Sequence, residues 1–299
     1  MYTKMLNNKN VLIIKHGSTG DIFMSFNVLK SILNYRPNIT ICSTKAGIET
    51  FKLLNINFNQ IIDERGKSIA TLKVLLKIKK KKFNYVIDLQ NSTRSSFYLL
   101  FIKLFTNTLS NGTSIFASVR YKSKNYQEHA ITGLNKQIEL LNIQKTKNYL
   151  YKSVEKLNQV IIVPGSSKSG QSKRWPFNNY LKVIEYLTSK KIKCYIIGGN
   201  DEKELEKMIP HNKYIINLIN NSPWDYVKKI ALKSKVTISN DTSAMHYISY
   251  LNLPVIAIMK DNQYAFRNYP LSNNSEIIKN KNIKNITVKK VINVLSRYI

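Results

Sequence analysis

Residues 236–259 read VTISNDTSAMHYISYLNLPVIAIM. Two short apolar runs flank a polar tetrad, Asn240-Asp241-Thr242-Ser243, and a segment of helical pattern that carries His246. A continuous apolar strand, a polar turn, a helix and a second apolar strand make the β-α-β unit of a parallel sheet, whose strands are buried on both faces. The tetrad therefore falls at the carboxyl end of a strand. There the first N–H groups of the next helix have no partner inside the helix, and ligands of doubly wound sheets collect. A helix cap accounts for one polar residue, whereas four in a row with His246 one turn on suggest a pocket for an anion or a sugar.

The same rhythm runs through the whole chain. Strand-like segments at 11–14, 39–43, 60–63 and 85–88 are each followed by a helical pattern, at 22–33, 46–54, 69–79 and 95–105. A strand at 114–118 and a helix at 127–141 complete the first half. The second half restarts at 160–163 and continues through a helix at 178–188, a strand at 193–197, a helix at 202–209, a strand at 214–218 and a helix at 223–232, which leads into the quoted stretch. Alternation of this kind predicts two doubly wound α/β domains, 1–150 and 158–285. The polar, Lys- and Asn-rich segment 145–157 serves as the linker. A last helix at about 288–298 follows a polar loop and is free to pack back on the first domain.

With 299 residues and 43% hydrophobic content the chain buries a large core. No apolar run reaches the roughly 18 residues of a membrane span. The polar start, residues 1–10, shows no signal-peptide core, so a cytoplasmic protein is expected. Cys42 and Cys194 sit in apolar strands without metal-ligand spacing and read as buried free thiols. The formal charge of +30 would suit nucleic acid. Against that, almost all the cations are Lys, and base-edge readers favour the planar Arg fork. The abundance of Lys, Asn, Ile and Tyr is also what A- and T-rich codons impose. The densest cluster is Lys77, Lys79, Lys80, Lys81 and Lys82, which reads as a solvated helix end. If it has a partner, anionic lipid at the inner membrane face is the physical candidate.

Three further loops stand at strand ends. HGSTGD (16–21) brings Gly17 and Gly20 into a tight turn with Asp21 at the helix entrance, and it lacks the spacing of a Walker or dinucleotide loop. VPGSSKSGQSKRWP (163–176) places Ser166, Ser167, Lys173 and Arg174 before a helix, hydroxyls and cations that suit a diphosphate. IIGGNDEKE (196–204) offers glycines and then acids, suited to ribose hydroxyls. No Asp-x-Asp pair and no His/carboxylate cluster has metal-ligand spacing.

Taken in order, IIKHGSTGD (13–21), VIDLQNSTRS (86–95), the 163–176 loop, IIGGNDEKEL (196–205) and ISNDTSAMHYISYLNLPVIAIM (238–259) resemble glycosyltransferase family 9, the ADP-heptose:lipopolysaccharide heptosyltransferases. The resemblance implies a GT-B fold, with two Rossmann-like domains facing a central cleft, acceptor on the N-terminal one and nucleotide-sugar donor on the C-terminal one. It implies Asp21 as general base and Lys173 as the cation on the diphosphate leaving group. Asp241, Thr242 and Ser243 match the phosphate-binding helix start, and His246 its histidine. Ser166 and Ser167 fall at the donor phosphate, and either Asp201 or Glu202 at the ribose. Gly20, Asp21, Asn91 and Arg94 fall on the acceptor side, although Arg94 is equally placed to cap its helix. His16 and Asp21 can alternatively serve only to shape their turn, Trp175 reads as core, and His129 and His211 read as surface residues.

Two departures stand out: Asp-Thr-Ser-Ala-Met-His where the family has Asp-Thr-Gly-Pro-Met-His, and Met259-Lys260-Asp261-Asn262 where it has Phe-Gly-Pro-Thr. The implied activity is inverting transfer of a heptose from ADP-heptose to a lipopolysaccharide core acceptor, with no metal and no cofactor. The implied partners are the nucleotide sugar and the lipid-linked acceptor, with peripheral contact to the anionic membrane. Two alternatives stay open on sequence alone: a GT-B transferase using another nucleotide sugar such as a UDP-linked hexose, or a catalytically silent sugar- or nucleic-acid-binding protein.

Overall fold

The computed structural model describes residues 6–64, 68–123, 127–146, 154–166 and 168–299. It divides into two compact units, Met1–Lys147 and Asn148–Ile299. In the first, the chain runs β1 (Asn10–Ile14), α1 (Thr19–Leu33), β2 (Asn38–Ser43), α2 (Lys45–Lys52), β3 (Asn59–Ile62), α3 (Ser68–Lys81), β4 (Tyr85–Asp88), α4 (Thr93–Phe105), β5 (Leu109–Gly112), β6 (Val119–Arg120) and α5 (Ala130–Glu139). The strands pair in parallel in the order β3-β2-β1-β4-β5-β6. In the second, β7 (Gln159–Val163), α6 (Phe177–Ser189), β8 (Lys193–Gly198), β9 (Ile215–Ile219), α7 (Trp224–Lys233), β10 (Val236–Asn240), α8 (Ser243–Tyr250), β11 (Val255–Lys260), β12 (Glu276–Asn280) and α9 (Val288–Leu295) follow. Their order is β12-β11-β10-β7-β8-β9, again parallel throughout.

Read from the β9 edge, the second sheet has the same winding as the first: third, second, first, fourth, fifth, sixth strand. Both are the Rossmann order. The physical cause is the apolar strand: Val11 to Ile14 and Val160 to Ile162 are wholly buried, so each sheet is covered by helices on both faces. Right-handed crossovers then fix which helices share a face. In the first unit α1 packs on α2 and α5, and α3 packs on α4.

Four expectations differ from what is found. The strand anticipated at 114–118 lies instead at β5 and β6. The LSNG of β5 reads as polar because Ser110 and Asn111 are buried and satisfied from a distance: Ser118 exchanges hydrogen bonds with Ser110, and Asn111 donates to the carbonyls of Val119 and Gln137. The segment before the last helix, anticipated as polar loop, contains the edge strand β12, in which Ile278 alone is fully buried. The segment after β8 is 3-10 in form, Asn200–Met208, where an α-helix is expected. The final helix, free on sequence grounds to lie against the first unit, packs on α6; Val291 and Leu295 join Trp175, Tyr180 and Ile184 in one core cluster. Of the linker, residues 147–153 lie outside the described residues. Cys42 and Cys194 are buried and free.

Both tryptophans, Trp175 and Trp224, belong to the second unit, so their fluorescence reports its unfolding separately. Leu295→Ala, which empties a site with no solvent exposure, should lower the free energy of that transition by about 2–5 kcal/mol in a urea titration.

Candidate active site

In a doubly wound sheet the crevice opens at the carboxyl ends of the two strands where the winding reverses. That point lies between β1 and β4 in the first unit and between β7 and β10 in the second.

In the first unit β1 ends in the turn Lys15-His16-Gly17, and the Gln90 Oε1 beyond β4 accepts the backbone N–H groups of His16 and Gly17, both at 2.9 Å. One side chain thus staples the two loops of the switch point together. A Cβ at residue 17 would stand 2.7 Å from the Asp21 Cβ, so glycine is what lets the turn close on α1. Ser18 caps α1, and Asp21 returns the bond: its Oδ2 accepts the Ser18 N–H at 3.2 Å and the Ser18 hydroxyl at 3.1 Å. Asp21 Oδ1 makes no hydrogen bond among the described residues, and the side chain is half-buried. Gly20 is buried in the same first turn.

Beneath this turn lies Asp63, just past the end of β3 and fully buried. Arg94 binds it bidentately at 3.0 and 2.6 Å, the Tyr98 hydroxyl donates at 2.6 Å, and His16 Nε2 lies at 2.9 Å. Burial by itself would raise the Asp63 carboxyl, but the hydrogen bonds from His16, Arg94 and Tyr98 outweigh it and hold it well below the carboxylate range. Arg94 therefore does not cap α4: Ser92 does, and Arg94 is anchored on Asp63. His16 does more than shape a turn, since it joins the same buried knot. Cys42 Sγ lies 3.8 Å from His16 Nε2, and His16, Cys42 and Asp63 hold ligand-type atoms within 4.8 Å of one another. Sequence spacing hides this cluster, because each residue comes from a different strand end. The guanidinium already engages both Asp63 oxygens and burial pushes the Cys42 thiol up, so the groups present fit an ion-pair knot better than a cation cradle.

Lys15 and Asp88, which sequence reading passed over, are buried nearby. Lys15 Nζ donates to the Leu89 carbonyl at 3.2 Å; burial lowers its pKa and the charges of Asp21 and Asp88 partly offset this. Burial raises the Asp88 carboxyl, although its Oδ1 accepts the N–H groups of Gln90 and Asn91. Asn91 adopts φ 51°, accepts the Thr113 N–H and donates to Gln137, so its side chain braces the loop.

In the second unit the tetrad divides its labour. Asn240, fully buried, donates to the carbonyl oxygens of Pro164 (2.8 Å) and Gly165 (3.3 Å) and accepts the Trp175 N–H (3.1 Å). This fastens the loop after β7 to the end of β10. Thr242 caps α8 through the Met245 N–H, and Ser243 is the first helical residue. Asp241 takes Lys173 Nζ at 2.7 Å on one oxygen and His246 Nε2 at 3.5 Å on the other. Burial would raise its carboxyl; the His246 and Lys173 contacts outweigh that and lower it. The 3-10 segment Lys168–Lys173 and the start of α8 are thus brought together at the switch point.

Ser166 is buried, and its N–H donates to Glu202 Oε1 at 3.0 Å. Arg174 Nη2 meets the same oxygen at 2.9 Å and the Ser166 carbonyl, while Glu202 Oε2 accepts the Gly199 N–H at 2.8 Å. Of the two acids considered for ribose, Glu202 is committed to this brace and Asp201 is exposed. An added Cβ at Gly165 would stand 2.2 Å from the Glu202 carboxyl, so a side chain there would push Glu202 out of this brace. Ser167 lies outside the described residues. Trp175 is buried, donating its indole N–H to Ile286 at 2.8 Å; His211 is exposed and His129 caps α5.

Residues 71–296 match the model of glycosyltransferase family 9 (heptosyltransferase). The chain belongs to glycosyltransferase family 9. It is 23% identical over 311 residues to lipooligosaccharide heptosyltransferase 2 of Haemophilus influenzae, covering 90% of this chain and 88% of that protein. Among solved structures, a family 9 glycosyltransferase from Veillonella parvula superposes with a TM-score of 0.79 at 14% identity over 99% of both chains. The ADP-heptose heptosyltransferase II of E. coli gives 0.74 at 17% identity, covering 97% of this chain and 98% of that one. An E. coli heptosyltransferase solved with ADP gives 0.76 at 15%, covering 97% and 100%. These neighbours share the GT-B fold, and this family 9 member is a glycosyltransferase with that fold.

Asp63→Asn should destabilise the first unit by about 3–5 kcal/mol at neutral pH, because it leaves Arg94 without its buried counter-charge. The folded-state carboxyl is depressed, so its stabilisation is complete above the unfolded value near 4 and is lost as pH falls below it. The gap in thermal midpoint between variant and parent should accordingly be flat from about pH 8 to 5 and close below about pH 4.

Proposed function

We propose that the protein transfers heptose from ADP-heptose to a lipopolysaccharide core acceptor with inversion at the anomeric carbon. The observation that carries this reading is the meeting of Lys173 with the N-terminus of α8 across Asp241, at the switch point of the second sheet. The first N–H groups of α8 have no acceptor within the helix, and the helix dipole favours an anion there. A diphosphate arriving at this place displaces one carboxylate from Lys173 and substitutes a stronger polyanion. The name of the Haemophilus relative and the ADP bound to the E. coli enzyme support the choice of donor and acceptor.

On this reading the acceptor hydroxyl oxygen forms the new bond to the anomeric carbon while the bond from that carbon to the diphosphate oxygen breaks. The hydroxyl proton passes to Asp21 Oδ1, the oxygen its capping box leaves unused. Lys15 lies buried at the same turn, where burial lowers its pKa and the Asp21 charge acts in the opposite sense. The charge that develops on the leaving diphosphate is met by Lys173 and the α8 amides, which is stabilisation of the oxyanion-hole type. Because those groups carry the charge, the reading needs neither a metal nor a cofactor. The reaction takes place in the cytoplasm, at the membrane that holds the acceptor.

Asp21→Asn preserves an acceptor for the Ser18 cap while removing the base. Calorimetry should find ADP-heptose binding near normal and turnover reduced at least about a hundredfold; unchanged turnover would remove Asp21 from the chemistry. Lys173→Ala should weaken ADP binding by about tenfold or more, through the lost charge-assisted contact and the exposed Asp241 carboxylate. Turnover should survive a chelator. A UDP-hexose that raised the melting temperature more than ADP-heptose did would overturn the choice of donor.

A further inference from the structure

One face of the first unit, formed by α3 and α4, carries apolar side chains that the fold does not cover. On α3 the residues Val74, Leu75 and Ile78 pack into the core, yet Ile69, Leu72 and Leu76, at i, i+3 and i+7, are 72%, 55% and 54% exposed. α4 repeats the arrangement: Tyr98, Leu99 and Ile102 point inward, while Phe97, Leu104 and Phe105 are 51%, 63% and 55% exposed. The two helices pack side by side, and the Lys79 ammonium lies 5.8 Å from the Phe105 ring centroid, so the stripes adjoin. Exposed Lys73, Lys77 and Lys80 border the α3 stripe and Lys103 the α4 stripe. From Ser68 to Phe105 the single acidic residue is Asp88, which is buried.

We propose that this face is a docking surface for an anionic lipid bilayer. Scattered exposed apolar residues are ordinary, whereas a contiguous set on two adjoining helices marks an interaction site. An apolar stripe edged with lysines, whose stems lie along it and whose heads reach outward, has the composition of a helix lying in a lipid headgroup layer. A second copy of the chain would set lysine rows against each other with no acid between them. A nucleic acid would meet the lysines but press phosphates on the leucines and phenylalanines. Both helices begin at the carboxyl edge of the sheet, where Arg94 is anchored on Asp63. The lipid-facing layer therefore starts beside the residues of the acceptor side. The surface is independent of which sugar is transferred.

The test is co-sedimentation of the full chain, without substrates, with vesicles of phosphatidylcholine alone and of phosphatidylcholine mixed with phosphatidylglycerol. Binding should require the anionic lipid. Lys77→Glu with Lys80→Glu should reduce the partition coefficient by about tenfold or more. Leu72→Ser, Leu76→Ser and Phe105→Ser together should abolish the part of the binding that resists added salt. Lys229→Glu with Lys233→Glu on α7 makes the same change in net charge, and it should leave partition within about twofold of the parent. Circular dichroism and melting curves identify any variant that fails to fold, in which case the single changes Lys77→Glu and Leu76→Ser replace the sets. The proposal falls if the parent ignores anionic vesicles, if the α7 pair loses as much as the α3 pair, or if the apolar set binds like the parent. It falls equally if ultracentrifugation shows a dimer that the apolar set dissociates. No transfer reaction is read, so failure here is separable from failure of the proposed activity.

Discussion

Asn240 sits where no water reaches it, and a buried amide left without partners costs more than almost any surface contact returns. It meets that constraint by donating to the carbonyl oxygens of Pro164 and Gly165 and accepting from Trp175. Both ends of the loop between β7 and α6, at Pro164–Gly165 and at Trp175, are thereby held to the turn into α8. Lys173 comes to Asp241 because of this arrangement, and the anion-binding end of α8 acquires a cation beside it. Apolar packing elsewhere in the second unit stabilises the sheet, but it is the satisfaction of one amide that shapes the loops above it.

The first unit solves the same problem with a charge. Asp63 collects His16, Arg94 and Tyr98, and Gln90 ties the turn after β1 to the turn after β4. The chemistry presented above the two switch points is complementary. The first offers a carboxylate oxygen that its cap leaves open, and the second offers an ammonium group and helix N–H dipoles. The proposed transfer assigns the proton to the first kind of group and the released anion to the second.

The scarcity of acids gives their placement meaning. Against 47 Lys and Arg stand 17 Asp and Glu, and Asp63, Asp88, Glu128 and Glu202 among them are buried. Asp63, Glu128 and Glu202 each accept hydrogen bonds that join separate segments, as Glu128 does from Tyr121 and Lys136, whereas the Asp88 carboxylate fixes its own turn through Gln90 and Asn91. The lysines are mostly exposed, and on α3 and α4 they flank apolar residues with no acid to balance them. A bias toward Lys across a whole composition says little about partners; the local combination of exposed apolar stripe and unopposed lysines says more.

Much of the architecture could be read from the chain. Apolar strands such as VLII and VIIV can be stable only when covered on both faces, and that requirement dictates two doubly wound parallel sheets. The polar knots at strand ends, HGSTGD and NDTS, mark where loops must gather, because the winding puts every such end on one edge of its sheet. What local pattern could not supply was pairing. Arg94 is equally well placed to cap a helix or to bind a ligand until Asp63, 31 residues earlier, is seen to hold it. Glu202 looks free to meet a ribose until Ser166 and Arg174 are found on its carboxylate. β5 looks like loop until its buried serine and asparagine are given partners from Ser118 and Gln137. Periodicity records which residues avoid water, a property each residue carries with it; which polar groups satisfy one another inside depends on strand order, and only the folded chain sets that.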